Sequence, residues 1–294
     1  PELSADEGTA YALPIAAVAI FALIWYANIP GMRTASKLIV AISPSPAGIS
    51  ENIASFEYLA EHPTFAMQEV REQIVSFAAA VAQSQSATNE QKQRMVSLAV
   101  TEMQKQVAAY PLDARGHLQL SYAYRIAGDG ARALKEIQSA ILLSPKKEGF
   151  YIEKGTVEWD SGDFKTAQKD FNTAYALGPQ FSDLALYAAA GNIAAGAQNE
   201  ADKILIDAFG TVDIDSNILS VAYYRVKNWP RLISMWKARA EKPDASVETL
   251  FGLAAVYYTA GDKTNAVKVI NAAIAIYPDA AAAGAAALKQ IEGK

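Results

Sequence analysis

The chain has 294 residues, 51% of them hydrophobic and 19% charged, which is too apolar for a disordered polypeptide and ample for a large core. A net charge of −5 argues against a nucleic-acid partner, which needs a basic face to neutralise phosphates. The lack of cysteine excludes disulfides, thiol catalysis and thiolate metal sites, and the two histidines, His62 and His117, lie far apart, so neither a metal nor another cofactor is expected.

The sequence begins at Pro1 rather than methionine, which reads as processing or as a fragment of something longer. No charged residue falls between Glu7 and Arg33. The core of this stretch is YALPIAAVAIFALIWYANI, Tyr11 to Ile29, and at helical rise it spans roughly 28 Å, about the hydrocarbon thickness of a bilayer. Pro14 falls early in the expected helix, where a missing N–H costs least. Acidic residues before it (Glu2, Asp6, Glu7) argue against a signal peptide, whose leading region is basic. A helix apolar on every face must be covered on every face. Three coverings are open: a membrane, copies of the same helix in an assembly, or the core of a soluble fold. Tyr11, Ile15, Val18, Phe21, Leu23, Ile24, Trp25 and Tyr26 are the residues that would make the membrane or assembly contacts. In a membrane, Arg33 and Lys37 would put the C-terminal bulk on the cytoplasmic side. Pro30-Gly31 is expected to end this helix, with a second running from about Met32 to the break at SPSPAG, Ser43 to Gly48.

Helices are also expected at ENIASFEYLAEH, ended by Pro63, at FAMQEVREQIVSFAAAVAQ, and at NEQKQRMVSLAVTEMQKQVAAY, with a polar loop from Ser84 to Glu90. Glu69, Arg71 and Glu72 read as a solvated helix face, and His62 as a histidine at a helix C-terminus.

Beyond Tyr110 the chain repeats itself. Pro111, Pro145 and Pro179 are spaced by 34, as are Gly128-Asp129 and Gly162-Asp163, with Gly196 continuing the series, and Ala133, Ala167 and Ala201. Gly261-Asp262, Ala266 and Pro278 resume the pattern after one irregular copy. His117, Leu120, Ser121 and Tyr124 share one helix face, and Ala133, Ile137 and Ala140 share the face of the next helix. These residues at this period resemble the tetratricopeptide repeat. The resemblance implies pairs of antiparallel helices stacked into an α-solenoid. The copy from about Asp215 to Pro243 departs from it, with Lys227-Asn228-Trp229-Pro230 where Gly-Asp belongs and Leu232, Trp236 and Arg239 at the packing positions, so a helical pair with a distorted packing angle is expected there. The alanine-rich end from Ala280 reads as a last helix.

The fold class is therefore all-α, an N-terminal hydrophobic helix followed by a tetratricopeptide-like α-solenoid. The expected organisation is 1–47 hydrophobic helix and connector, 48–110 helical coupling region, and 111–294 repeats, in units of about 111–145, 146–179, 180–213, 214–245 and 246–279 with a C-terminal helix. A second similarity lies in the order of elements: WYANIPGMRTASKLIVAIS, then the segment from Phe56 to Pro63 and the Gln68 to Gln73 run, then repeats. This order is similar to the C-terminal tail of O-antigen ligase-like membrane proteins. Their catalytic spans have no counterpart here, so the resemblance transfers no catalytic residue.

No constellation of catalytic type stands out: there is no phosphate-binding glycine loop, no nucleophile elbow and no calcium loop, and His117 sits at a packing position. The chain is accordingly read as non-enzymatic. Adjacent aromatics at Tyr223-Tyr224 and Tyr257-Tyr258 point about 100° apart on a helix, so one of each pair faces outward. Tyr122, Tyr187, Tyr224 and Tyr258 are the candidate groove or contact aromatics. The expected role is a scaffold whose apolar helix fixes a protein-binding repeat domain to a membrane. The alternative is a structural subunit of a filament or other homopolymer, with that helix as core and the repeats as shell. The expected partner is a protein or copies of the chain itself, and the expected place a membrane or a cell-surface or extracellular assembly.

Overall fold

The computed structural model describes residues 5–293, with side chains described from Tyr11 onward apart from Ala27 and Glu292. Pro1 and Glu2, and the side chains of Asp6 and Glu7, lie outside the described residues. Among the described residues every regular element is a helix. Two compact units divide the chain, residues 1–145 and 146–294.

The first unit holds α1 (Ala5–Ile42), α2 (Ile49–Glu61), α3 (Met67–Gln83), α4 (Asn89–Ala109), α5 (Ala114–Ile126) and α6 (Gly130–Leu143). The second holds α7 (Glu148–Asp160), α8 (Phe164–Leu177), α9 (Ser182–Ala194), α10 (Gln198–Phe209), α11 (Asn217–Arg225), α12 (Trp229–Ala240), α13 (Val247–Thr259), α14 (Lys263–Ile276), a single 3-10 turn at Pro278–Ala280, and α15 (Ala281–Glu292). From α5 to α14 the helices pair as α5/α6, α7/α8, α9/α10, α11/α12 and α13/α14.

Each pair turns on two residues. Gly128, Gly162, Gly196 and Gly261 take left-handed backbone conformations, with φ from 77° to 89°. That conformation returns the last amides onto the helix just ended. Gly128 N–H donates to the Arg125 carbonyl and Asp129 N–H to that of Tyr124, and the same two bonds recur at every turn of the series. The aspartate then starts the next helix. Asp129, Asp163 and Asp262 accept the backbone N–H of Arg132, Thr166 and Asn265, respectively. One dipeptide thus closes one helix and caps the next. The irregular fourth pair keeps this geometry with other residues: Lys227 takes φ 56° and Asn228 caps α12 through the Arg231 amide.

Small residues let the paired helices meet. Ala133, Ile137 and Ala140 of α6 are fully buried, as are Ala167 and Ala174 of α8. Ala201 and Leu205 of α10 and Ala266 and Ala273 of α14 are fully buried too. Each buried isoleucine or leucine contributes roughly 1.5–3 kcal/mol. His117, Leu120, Ser121 and Tyr124 of α5 are all buried. Both ring nitrogens of His117 are engaged, Nδ1 with Glu136 at 2.7 Å and Nε2 with the Pro111 carbonyl at 3.0 Å. In the fourth pair the bulk of Trp236 is taken up by its neighbour: a Cβ on Gly252 would lie 2.1 Å from the indole.

Two expectations are corrected. The helix does not end at Pro30-Gly31; α1 runs on to Ile42, and Pro14 lies in its interior. The connection between α2 and α3 grips α1 at this point. The Phe65 ring sits where a Cβ on Gly31 would be, 2.3 Å from its Cζ, and the Thr34 hydroxyl bonds both the Pro30 carbonyl and Thr64. These contacts hold the helical path across the one amide that Pro30 lacks. Asn52 closes the helix by donating to the carbonyls of Ala41 and Ser43. Secondly, Arg71 and Glu72 do not form a solvated face. Arg71 bonds the almost fully buried Glu102 and also Gln106, while Glu72 pairs with Arg115. The contact of α3 with α4 covers Arg71 and that with α5 covers Glu72, and only Glu69 remains exposed. The capping box of Thr88 and Gln91 starts α4 at Asn89, the residue at which this helix is expected to begin.

The turn chemistry yields two stabilising substitutions. Lys227→Gly removes the cost of a side chain in the left-handed region, and Ala197→Asp supplies the cap that α10 lacks. Each is expected to raise unfolding free energy by about 1 kcal/mol, read as a higher urea midpoint at unchanged m-value. An unchanged or lower midpoint would contradict the assignment of these turns.

Candidate interaction surfaces

The second unit carries an aromatic groove on the face made by the first helices of three successive pairs. Thr156, Trp159 and Asp160 of α7, Tyr187 and Ala190 of α9, and Ile218 and Val221 of α11 line a cavity of about 210 Å³, with Phe171 of α8 as its floor. Position in the chain explains the floor. Gly155 and Gly191 flank Phe171 so closely that a Cβ on either would lie 2.6 Å or 2.9 Å from the ring. The ring therefore passes between α7 and α9 and reaches the groove. It stands 5.5 Å from the Tyr187 ring and 6.3 Å from that of Trp159. Arg225 at the end of α11 lies over Phe164 and Trp159, at 4.6 Å and 5.4 Å, and so closes one end of the aromatic row.

Tyr187 is the expected groove aromatic that lines this cavity. The other three lie elsewhere. Tyr122, partly buried, stacks under the Arg125 guanidinium at 4.7 Å. Tyr224 is 54% exposed while its neighbour Tyr223 is 1% exposed, and it meets Trp229 edge-on at 5.7 Å. Tyr258 is the outer member of its pair and lines a cavity of about 220 Å³ with Phe251, Gln290 and Ile291. Trp159, Phe171, Ile218 and Val221 are not among the aromatics and contacts expected from the sequence. Register is the signal for three of them, since Trp159, Ile218 and Val221 fall on the first helices α7 and α11, on either side of the α9 that carries Tyr187.

The first unit presents a different surface. Tyr11, Ile15, Val18, Phe21, Leu23, Ile24, Trp25 and Tyr26 are each more than half exposed. Residues Tyr11–Ile42 form a helix long and apolar enough to cross a membrane, and the rest of the chain covers none of its most apolar part. The far end of α1 does pack, with Leu38 and Ala41 buried beside α2.

Outside the groove lining, α7 and α8 share a charged cluster. Lys154 Nζ lies 2.6 Å from Asp170 and 3.2 Å from Glu158. Burial pushes the Glu158 carboxyl up to about 7, the nearby Asp170 adds to the rise, and Lys154 opposes it. Among the described residues no three His, Asp or Glu side chains are grouped to hold a metal ion.

Residues 247–280, which include α13 and α14, match a family model of the tetratricopeptide repeat. No curated protein matches the chain. Among solved structures it is similar to a tetratricopeptide repeat protein from Parabacteroides merdae, at 12% identity and TM-score 0.48, over 70% of this chain and 79% of that one. It is similar also to a thermophilic TPR protein of Thermus thermophilus, at 13% identity and TM-score 0.46, over 64% and 99%. A third is PilF of Pseudomonas aeruginosa, at 12% identity and TM-score 0.46, over 72% and 94%.

The Glu158 cluster makes stability depend on pH. A carboxyl whose folded pKa lies above its unfolded value binds more protons in the folded state between the two. Its contribution is complete below about 4.5 and is lost as pH rises through about 7. Glu158→Gln is therefore expected to raise the melting temperature at pH 8 and to flatten the decline between pH 5 and 8. A variant whose melting curve runs parallel to the parent's across that range would contradict the reading.

Proposed function

We propose that this tetratricopeptide-repeat chain is a non-enzymatic scaffold, tethered to a membrane by α1, that holds a segment of a protein partner in the groove of its second unit. In this reading residues 1–47 serve as anchor and connector, 48–110 as a coupling region, and 111–294 as the repeat domain. The observation that carries the binding role is the cavity under Trp159, Phe171, Tyr187, Ile218 and Val221. It offers room for one or two apolar side chains of an inserted segment, with stiff aromatic walls that lose little entropy on binding. Stacked helical pairs place such a groove along the first-helix face and read a segment along it. The tether rests on the bilayer-length run of exposed apolar side chains on α1, which must be covered by something.

The groove is tested with a random peptide library selected on the full chain. Enriched peptides should carry a bulky aliphatic or aromatic residue. Val221→Asp, at a half-exposed position, and Tyr187→Ala should each weaken them tenfold or more, about 1.4–3 kcal/mol, at unchanged helical content. Selected peptides that bind both variants as tightly as the parent would sink the groove assignment.

The tether is tested by flotation with lipid vesicles. A charge at the middle of a membrane helix costs roughly 2.5–3.5 kcal/mol, so Ala19→Arg should leave the vesicle fraction while the parent floats. Flotation of the variant as complete as that of the parent would contradict a spanning helix. Loss of ordered filaments in the absence of lipid would instead mark α1 as an assembly core.

A further inference from the structure

Where the apolar stretch of α1 ends, the first unit forms a cationic cleft. Arg33 and Lys37 of α1, with Pro30 and Thr34 between and beside them, make one wall. Tyr58 and Leu59 of α2, His62 and Thr64 make the other, around a volume of about 390 Å³. No carboxylate lines it. The Tyr58 ring organises the wall: the Lys37 ammonium lies 5.1 Å from its centre, and the His62 imidazole stacks on it at 4.1 Å. The Nδ1 of His62 engages the Tyr58 carbonyl at 2.8 Å, which fixes the ring in place. Thr34 and Thr64 are held together by a hydroxyl–hydroxyl bond of 3.1 Å.

The positive charge is uncompensated. Arg71, Arg94, Arg115 and Arg132 in the same unit each hold a carboxylate. Among the described residues neither Arg33 nor Lys37 has an acidic partner. An arginine four residues before a lysine on one helix face would ordinarily be separated or paired, because like charges at that spacing repel. An anion between them relieves the repulsion.

The same two residues also border a second hollow. Trp25, Ile29, Met32, Ser36 and Val40 line it together with Arg33 and Lys37. Cationic and apolar surfaces therefore meet along one stretch of α1. Arg33 lies about 6 Å beyond Ile29 along the helix, inside the headgroup layer if residues 11–29 fill the hydrocarbon. Helical side chains lean toward the N-terminus, so Arg33 and Lys37 reach back toward that layer.

We propose that Arg33, Lys37, His62 and Thr64 bind the phosphate of an anionic phospholipid, whose acyl chain lies along Trp25, Ile29 and Met32. A phosphate bound by charge alone needs no apolar hollow beside it, and an acidic peptide needs no adjoining bilayer-length helix; a phospholipid uses both. The inference rests on the membrane reading of α1, and the test separates the two.

The full chain is reconstituted in vesicles of phosphatidylcholine containing a minor share of phosphatidylglycerol. Bromine is carried on the acyl chains of one lipid or the other. Trp25 lines the hollow beside Arg33 and Lys37, so, with Trp159, Trp229 and Trp236 each replaced by phenylalanine, its quenching reports which lipid sits beside α1. Each basic side chain near an anionic surface is worth about fivefold in affinity. Brominated phosphatidylglycerol should quench several-fold more than its bulk share predicts. In Arg33→Gln/Lys37→Gln the enrichment should fall to the bulk share while flotation is kept. Inorganic phosphate at millimolar concentration should leave the enrichment unchanged.

Quenching at the bulk share by a parent that floats would overturn the headgroup site and leave the tether standing. Equal enrichment in the double variant would overturn the assignment to these residues. Displacement by inorganic phosphate would mark a free-phosphate site and overturn the lipid. A chain that fails to float overturns the tether and this proposal together.

Discussion

The structure depends on a two-residue turn. A left-handed residue ends one helix and the next residue begins another, so the chain reverses with its orphan amides and carbonyls satisfied. Glycine takes the first position without steric cost and aspartate takes the second because its carboxylate accepts the free amides of the following helix. The geometry matters more than the residues. Lys227-Asn228 reproduces both hydrogen-bond rings of the turn, with a strained lysine in glycine's place. Gly196-Ala197 keeps the backbone turn without any side-chain cap. In the second unit the repeated turn brings α7, α9 and α11 around one cavity, and that adjacency makes a binding face.

The groove follows from that adjacency and from two absences of side chain. Gly155 and Gly191 leave space for a phenylalanine that belongs, by sequence position, to the second helix of its pair. Phe171 fills the space and emerges on the first-helix face beside Trp159 and Tyr187. The charged group shared by α7 and α8 is of another kind. Burial, with Asp170 close by, pushes the Glu158 carboxyl up to about 7 against the opposing pull of Lys154, so this carboxyl changes its charge near neutral pH. This cluster bears on stability, whereas the groove bears on recognition.

The first unit resolves a conflict between local and long-range preference. Proline and glycine at positions 30 and 31 are a local signal to stop, yet the helix continues. Phe65 packs against Gly31, Thr64 holds Thr34, and Asn52 caps the far end. Proline inside a helix costs about 3 kcal/mol through its lost amide and its ring clash, and the packing of Phe65 with the hydrogen bonds of Thr34 and Asn52 offsets it. The outcome places Arg33 and Lys37 on the same rigid rod as the apolar stretch, rather than on a separate element free to turn away.

Much of this was legible in the residues. The 34-residue spacing of Gly-Asp and proline, the small residues at Ala133, Ala167 and Ala201, and the uncharged run from Tyr11 to Ile29 determine helix, reversal and an uncovered apolar rod. Each acts through local rules of capping, periodicity and hydropathy. The outward turn of Tyr224 and Tyr258 follows from helix pitch in the same way. What only the tertiary structure decided are the contacts between residues distant in sequence: the passage of α1 through Pro30, the burial of Arg71 against Glu102, and the union of Trp159, Phe171, Tyr187 and Val221 in one cavity. Periodicity says which face of a helix is apolar, but not which neighbour yields the space. A missing Cβ at Gly31, Gly155 or Gly252 acquires its meaning only when the ring that occupies it is in place.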